Sequence, residues 1–164
     1  MIIIVFGLPG SGKSFFASRL ATLAKGEYLN SDQVRIKLFK KREYTEAEKE
    51  LVYDVMFERA KKAHEEKSNL VIDATFYKQH LRQRYLDELP GSVSFIEVVA
   101  QTKLVKKRLS MARAFSEADY KIYKAIKKEW EPFETKHLTL TSTNDNIGEM
   151  LDKAALYLNL GNDK

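Results

Sequence analysis

Cysteine is missing altogether from the 164 residues; proline occurs three times, tryptophan once and glycine only seven times. Without cysteine there is no disulfide framework, no thiol nucleophile and no Cys-ligated zinc, and the composition fits a reducing compartment. With so little glycine and proline, no flexible linker divides the chain, and no repeat or low-complexity tract is present. Long apolar runs are also lacking. The N-terminal run Ile2–Phe6 breaks into Gly7 after a few residues, far short of the about 20 that a membrane span requires. It also lacks the basic start and length of a secretory signal, so the expected location is cytoplasmic, with no membrane partner.

What remains is an ordinary globular composition, 44% hydrophobic, of a length that suits one domain with a real core. The formal charge is +5, from 28 basic and 23 acidic residues. That balance suits a protein handling phosphates, nucleic acid included, but the signs are thoroughly mixed and equally describe a solvated surface. Charge decides nothing here.

Strand-like and helix-like segments alternate along the chain. Ile2–Phe6 is a β-branched run bounded by glycine, as expected of a strand buried on both faces. Residues 14–24 follow with helical apolar spacing through Phe16, Leu20 and Leu23. A short strand over 28–30 and a helix over 32–39 come next. Thr45 and Glu48 form a capping box for a helix reaching about Glu66, with Leu51, Val52, Val55, Met56, Ala60 and Ala63 on its inner stripe. Further strands are expected over 69–74, 93–100 and 137–141. Helices are expected over 77–89, 102–114 and 116–130, and after Asn144 as a cap, with Ile147, Leu151, Ala154 and Leu158 facing inward. This alternation predicts an α/β fold with a parallel sheet of about five strands, helices on both faces and a helical lid at about 102–130 within a single domain spanning 1–164.

The sharpest motif is Gly7-Leu8-Pro9-Gly10-Ser11-Gly12-Lys13-Ser14, a full G-x-x-x-x-G-K-[ST] between an expected strand and an expected helix. Its glycines let successive N–H groups turn inward on phosphate oxygens, at a helix N-terminus whose dipole favours anions. The phosphate cradle is therefore Gly7, Pro9, Gly10, Ser11, Gly12, Lys13 and Ser14. Lys13 is placed to reach the β- and γ-phosphates, and the Ser14 hydroxyl to ligate Mg²⁺.

Such loops serve kinases, switches and motors alike, and the rest of the chain narrows the choice. No N-K-x-D guanine motif and no L-S-G-G-Q signature occurs. Ser31-Asp32-Gln33-Val34-Arg35 follows the second expected strand, where a parallel sheet opens its ligand crevice. Asp32 and Arg35 share a helix face there, one to accept the proton of an attacking hydroxyl and the other to orient the acceptor. The plainer alternative is that Asp32 only caps the helix and pairs with Arg35. Asp73 ends the apolar run Leu70-Val71-Ile72, the position from which a carboxylate holds Mg²⁺, or alternatively steadies the loop or Thr75. Among the basic residues of 102–114, Lys103, Lys106 and Lys107 read as a solvated face. Arg108 and Arg113 are the candidates for charge neutralisation, although five residues apart they need a bend to reach one phosphate.

Together with Val71-Ile72-Asp73-Ala74-Thr75, Ser116-Glu117-Ala118-Asp119, Tyr123 and Trp130-Glu131-Pro132, these motifs resemble the AAA_33-type P-loop kinases. That group is similar to the kinase domain of phage polynucleotide 5′-hydroxyl kinase and, more distantly, to zeta toxins and gluconate kinases. The resemblance covers residues 2 to about 131. It implies ATP and Mg²⁺ as cofactors, Asp32 as general base, Arg35 on the acceptor side, and a lid arginine at the transferring phosphate, Arg113 first and Arg108 second. It also implies an acceptor contact for Arg82.

The expected activity is transfer of the γ-phosphoryl group of ATP to a hydroxyl, on a small molecule or on a polynucleotide 5′-end, with nucleic acid thus a possible substrate. A polynucleotide acceptor would call for a basic stripe with stacking aromatics near Arg35 and the lid, for which Tyr77, Phe115 and Tyr120 are available. The alternatives are a nucleotide-dependent regulatory module without an acceptor, and a zeta-toxin-like sugar-nucleotide kinase. The sequence leaves the acceptor and the oligomeric state open.

Overall fold

A computed structural model describes residues 1–111 and 117–161. In chain order the elements are β1 (Ile2–Phe6), α1 (Lys13–Leu23), β2 (Glu27–Asn30), α2 (Ser31–Leu38), α3 (Glu46–Glu65), β3 (Leu70–Ala74), α4 (Gln79–Glu88), β4 (Val93–Val99), α5 (Thr102–Met111), α6 (Glu117–Glu129), β5 (Leu138–Thr141) and α7 (Ile147–Tyr157). The five strands form one sheet in the order β2-β3-β1-β4-β5, and every neighbouring pair is parallel. This is the α/β P-loop arrangement expected from the alternation of elements.

The apolar run at the N-terminus becomes the central strand because nothing in it needs water. All five residues of β1 are fully buried. Successive side chains point to opposite faces. Ile2, Ile4 and Phe6 join the core under α3 and α4, with Met56, Phe57 and Tyr85. Ile3 and Val5 join the core under α1 and α7, with Phe16, Leu20 and Ala154. Burying each such aliphatic side chain stabilises the fold by about 1.5–3 kcal/mol before chain entropy is subtracted. The middle of the sheet is thereby a stiff platform for whatever follows β1.

Several local expectations shift. Leu23 and Leu51 point outward, and Phe57 takes the place in the α3 stripe that the spacing gave to Leu51. Thr45 caps α3 as expected, its hydroxyl accepting from Glu48 N at 3.2 Å. The reciprocal half of the box goes elsewhere, since Glu48 accepts from Glu43 N at 2.8 Å. The helix expected from Tyr77 begins at Gln79. The last helix starts after Asn146 instead of Asn144, and Asn146 spends its side chain on the turn before it, accepting from Thr143 N and donating to Thr141 O, each at 2.8 Å. Among the described residues no helix is long and apolar enough to cross a membrane.

Candidate active site

Many of the functional candidates described lie at or just past the C-terminal end of a strand. Gly7 follows β1, Asp32 follows β2, Asp73 and Thr75 mark the end of β3, and Ser142 follows β5. Parallel strands bring their C-terminal ends to one edge, so residues far apart in sequence converge there.

The loop from Gly7 to Ser14 owes its shape to close backbone approach. A Cβ at Gly7 would stand 2.3 Å from the Val98 carbonyl oxygen, well inside contact distance. Gly12 caps α1 in the left-handed region at φ 89°, where a Cβ would also crowd Ser142 Oγ and Arg108 Nη1. Gly12 brings no capping side chain, so α1 begins with its first amides free of a side-chain partner. An uncapped helix start is an anion site. Outside the loop, the Ser142 hydroxyl donates to Ser11 O. Arg108 donates to Gly10 O at 3.3 Å, to Ser142 Oγ at 2.8 Å and to Thr143 O at 3.0 Å. Arg108 therefore fastens the loop to the end of β5, and burial lowers its pKa from the usual guanidinium value. Ser142 and this tether escape a motif search, because a serine after a weak strand carries no pattern of its own.

Among the described residues two of the cavities that adjoin the loop hold candidate groups, and a third, of about 370 Å³, opens over Leu8 and Ser11 against β4 and α6. The smaller of the first two, of about 300 Å³, lies between α1, Arg108 and the start of α7, and is lined by Gly12, Phe15, Arg108, Ser142, Thr143, Asn144 and Asn146 among others. The larger, of about 510 Å³, lies on the other side and is lined by Pro9, Lys13, Ser14, Asp32, Arg35, Asp73 and Thr75, with Tyr44, Tyr53 and Tyr77 and with Ile122 and Ile126 of α6. Lys13, Ser14, Asp32, Arg35 and Asp73 thus share one cavity. Burial pushes the Lys13 ammonium below its usual range, while the Asp73 and Asp32 carboxylates pull it back up. A lysine in that balance is electrostatically incomplete and gains from an anion beside it.

Asn30 ties the two carboxylates to the scaffold. Its side-chain oxygen caps α2, accepting from Asp32 N at 2.9 Å and Gln33 N at 3.2 Å, while its amide donates to Asp73 Oδ2 at 2.8 Å. The helix is therefore capped by Asn30, and the Asp32 carboxylate is neither its cap nor within salt-bridge distance of Arg35 among the described residues. Asp32 stays exposed toward the cavity. Tyr28 donates a second hydrogen bond to Asp73 Oδ2 at 2.7 Å, and burial, then this carboxylate, raises the phenol pKa so that it stays a donor. Among the described residues Asp73 Oδ1 is buried without a partner. An orphaned carboxylate oxygen lining the same cavity as the Ser14 hydroxyl fits a divalent cation that takes its remaining ligands from water and phosphate.

Arg82 is placed otherwise than the resemblance implied. It is fully buried and absent from the cavity lining. Its Nε donates to Phe76 O at 2.7 Å, and its Nη2 donates to Tyr77 O at 3.1 Å and to Glu131 O. Its guanidinium bolts the loop after β3 to the end of α6, the two walls of the larger cavity. Phe76 sits at φ 48°, in the left-handed region, and its N–H reaches Tyr53 Oη at 3.1 Å. Arg82 and Tyr53 together hold that unfavourable backbone in place. Glu131 completes the bolt. It accepts from Gln79 N at 2.6 Å, and this bond lowers its pKa, helped by the charges of Lys78 and Arg82. Arg113, Phe115 and Ser116 lie outside the described residues.

Comparison with solved structures gives the same fold at low identity. A sugar kinase from Janibacter sp. HTCC2649 is 16% identical, with a TM-score of 0.75, covering 98% of this chain and 95% of its own. A gluconokinase from Sinorhizobium meliloti 1021 is 16% identical, with a TM-score of 0.73, covering 98% and 93%. Shikimate kinase from Acinetobacter baumannii, solved with shikimate, is 13% identical, with a TM-score of 0.69, covering 99% and 95%. No curated protein matches the sequence. The family profile described as an AAA domain matches residues 2–132, the stretch that carries the phosphate loop, Asp32, Arg35, Asp73 and Arg108. The chain belongs to the AAA_33 family of P-loop domains.

Proposed function

We propose that the protein is an ATP-dependent kinase that phosphorylates a hydroxyl of a small acceptor. The observation that carries this reading is the sharing of one cavity by Lys13 of the phosphate loop and by Asp32, an exposed carboxylate freed from capping by Asn30. A module that only binds nucleotide has no use for a carboxylate held beyond the phosphates. The solved proteins of the same fold include kinases named for a sugar, gluconate and shikimate, which supports a small acceptor.

In this reading the nucleoside occupies the smaller cavity, with its phosphates on the loop. The acceptor occupies the larger cavity, with its hydroxyl toward Asp32. As the acceptor oxygen bonds to the γ-phosphorus, the bridging β–γ oxygen bond breaks, Asp32 takes the hydroxyl proton and ADP carries away the electron pair. Lys13 meets charge on the β- and γ-oxygens. Mg²⁺ held through Ser14 and Asp73 would supply further neutralisation of the phosphates. Helices α5 and α6 act as the lid over a single catalytic domain, with Ile122 and Ile126 keeping water from the acceptor. Arg108 serves here through the loop it holds.

Among the described residues the wall that α6 presents to the larger cavity is Ile122, Ala125, Ile126 and Glu129, none of them basic, while Arg35, Lys49, Tyr44 and Tyr77 line the opposite side. Lys124 instead stacks on Tyr120, and Lys127 on Tyr123. A polynucleotide acceptor is therefore the less favoured reading. The test is transfer of labelled γ-phosphate from Mg-ATP to a panel of sugars, sugar acids, nucleosides and 5′-hydroxyl oligonucleotides. Label on a small molecule, lost in Lys13→Ala, supports the proposal. Label confined to oligonucleotide ends would replace the acceptor class. Hydrolysis with no labelled acceptor would favour the regulatory module.

A further inference from the structure

We infer that the acceptor carries a flat, unsaturated ring. The ring lies between Tyr44 on one side of the larger cavity and Ile122 and Ile126 of α6 on the other, and the hydroxyl sits on a short arm that reaches Asp32. The inference rests on the kinase reading and adds the shape and surface chemistry of the substrate.

Large apolar side chains are normally spent on packing, and these are not. Tyr44 is 56% exposed and Ile122 53% exposed, and neither joins the core on either face of the sheet. Ile126, half-buried, follows Ile122 by one helical turn and shares its face. Helix α6 is anchored from other positions. Tyr123 is buried, and Trp130, just past the helix end, stacks on Phe6 with ring centroids 6.2 Å apart. That anchorage leaves the stripe of Ile122 and Ile126 on the cavity wall, and Tyr44 lines the opposite side. Two apolar surfaces on either side of an open cavity of about 510 Å³ are left for a ligand to cover.

Tyr44 is held as a presented surface. Arg35 covers one face of its ring, with the guanidinium carbon 4.6 Å from the centroid. The Tyr44 backbone sits at φ 54°, unfavourable for a bulky residue. Beside it Glu43 N donates to the Glu48 carboxylate at 2.8 Å, which fixes the turn. Burial of an aromatic does not account for that strain, because the ring packs into no core; contact with a ligand does. Tyr77 adds a second aromatic wall. It is 8% exposed, and its carbonyl accepts from Glu131 N and from Arg82.

A flat ring has two apolar faces and a polar edge, which matches one aromatic and one aliphatic wall. A polyol carries hydroxyls around its rim. Of the four α6 residues on the wall only Glu129 is polar, so hydroxyls turned to the rest would lose water without gaining a partner. Position sets the size of the molecule. Arg35 follows Asp32 by three residues, about 4.5 Å along the helix axis, and the Tyr44 ring lies against Arg35. Ring and hydroxyl therefore belong to one compact molecule, a nucleoside or a phenyl-substituted alcohol.

The experiment reads ring binding directly, without transfer. The full chain, saturated with Mg²⁺ and a non-hydrolysable ATP analogue so that the nucleotide side is filled, is titrated calorimetrically with ring alcohols and polyols. The ring alcohols are cytidine, adenosine and 2-phenylethanol; the polyols are glucose and gluconate. At least one ring alcohol should bind about tenfold or more tighter than either polyol. Cytidine or adenosine in that place names a nucleoside, and 2-phenylethanol a simple aromatic alcohol. Tyr44→Asn removes the ring while suiting the left-handed backbone, and should weaken that binding about tenfold or more. Tyr44→Phe should retain it. Ile122→Ser should weaken it about threefold or more, and Ile122→Leu should retain it. Leu51→Ser, at an exposed apolar residue of α3 outside the cavity lining, should change nothing. Retained affinity for the ATP analogue shows that each variant is folded. Ring alcohols that bind no better than polyols, or equal binding by wild type and Tyr44→Asn, overturn the inference. So does an equal loss of transfer to ring and polyol acceptors in Tyr44→Asn and Ile122→Ser, since the two walls would then close on each other. Label passed to polyols and unaffected by Tyr44→Asn would refute the ring and leave the kinase standing. Ring binding without transfer to anything would do the reverse.

Discussion

The two cavities beside the phosphate loop are built on different principles. The smaller one is walled largely by residues adjoining α1 and the end of β5, and it is held by bonds from Arg108 and Ser142 to main-chain oxygens. The larger one is walled by charged and aromatic side chains from α2, α3 and the loop after β3 and by a mostly aliphatic face of α6, held together by Asn30, Tyr53 and Arg82. A site for a common nucleotide can rest on backbone shape. A site for a particular acceptor has to be assembled from side chains, and those are free to differ while the fold stays put. Solved neighbours keep the same fold at 13–16% identity.

Changes to the two cavities should therefore separate. Lys13 lines the larger cavity and in the kinase reading meets the phosphates themselves, so Lys13→Ala should lower transfer by about 10³-fold or more and weaken ATP binding as well, as read by labelled transfer and calorimetry. Asp32→Asn should confine its effect to the acceptor side, cutting turnover about 10²-fold or more with ATP affinity unchanged. Equal losses of ATP affinity in the two variants would erase the distinction between the cavities. Arg82→Met takes a donor from the Phe76, Tyr77 and Glu131 carbonyls, of which Tyr77 O keeps the Glu131 N–H, and should cost about 3 kcal/mol of stability in denaturant melts. In the surviving folded enzyme the acceptor KM should rise while the KM for ATP holds. The smallest effect belongs to Ser142→Ala, which removes one bond to the loop and should raise the KM for ATP about 3- to 10-fold, leaving the acceptor KM alone.

The same contrast describes what could be read from sequence. β1, the phosphate loop and α1 are contiguous, so hydrophobic patterning and spacing reveal strand, loop and helix together. The sheet and most helix positions follow from the same local signals. Asp32 and Asp73 are visible because each sits at a strand end, where a parallel sheet converges, and Arg35 because it follows Asp32 by one helical turn. Arg82 shows the limit. Its position eight residues after Ala74 is as compatible with an acceptor contact as with burial, and only the three-dimensional meeting of Phe76, Tyr77 and Glu131 decides for the bolt. Asn30 takes a cap that the sequence offers equally to Asp32, since both residue types cap helices well. The actual choice depends on where β2 ends, which local propensity does not fix. Tyr44 carries no signal at all until its ring is seen over Arg35.

The central claim is that Asp32 and the phosphate loop make one phosphotransfer site. Its most direct test is labelled γ-phosphate transfer across the acceptor panel by wild type and Asp32→Asn side by side, with ATP affinity measured on the same preparations. The account predicts a labelled acceptor with the wild type, and that label lost in Asp32→Asn while ATP still binds. Full turnover by Asp32→Asn, or ATP hydrolysis by both proteins at the same rate with no acceptor labelled, would contradict it.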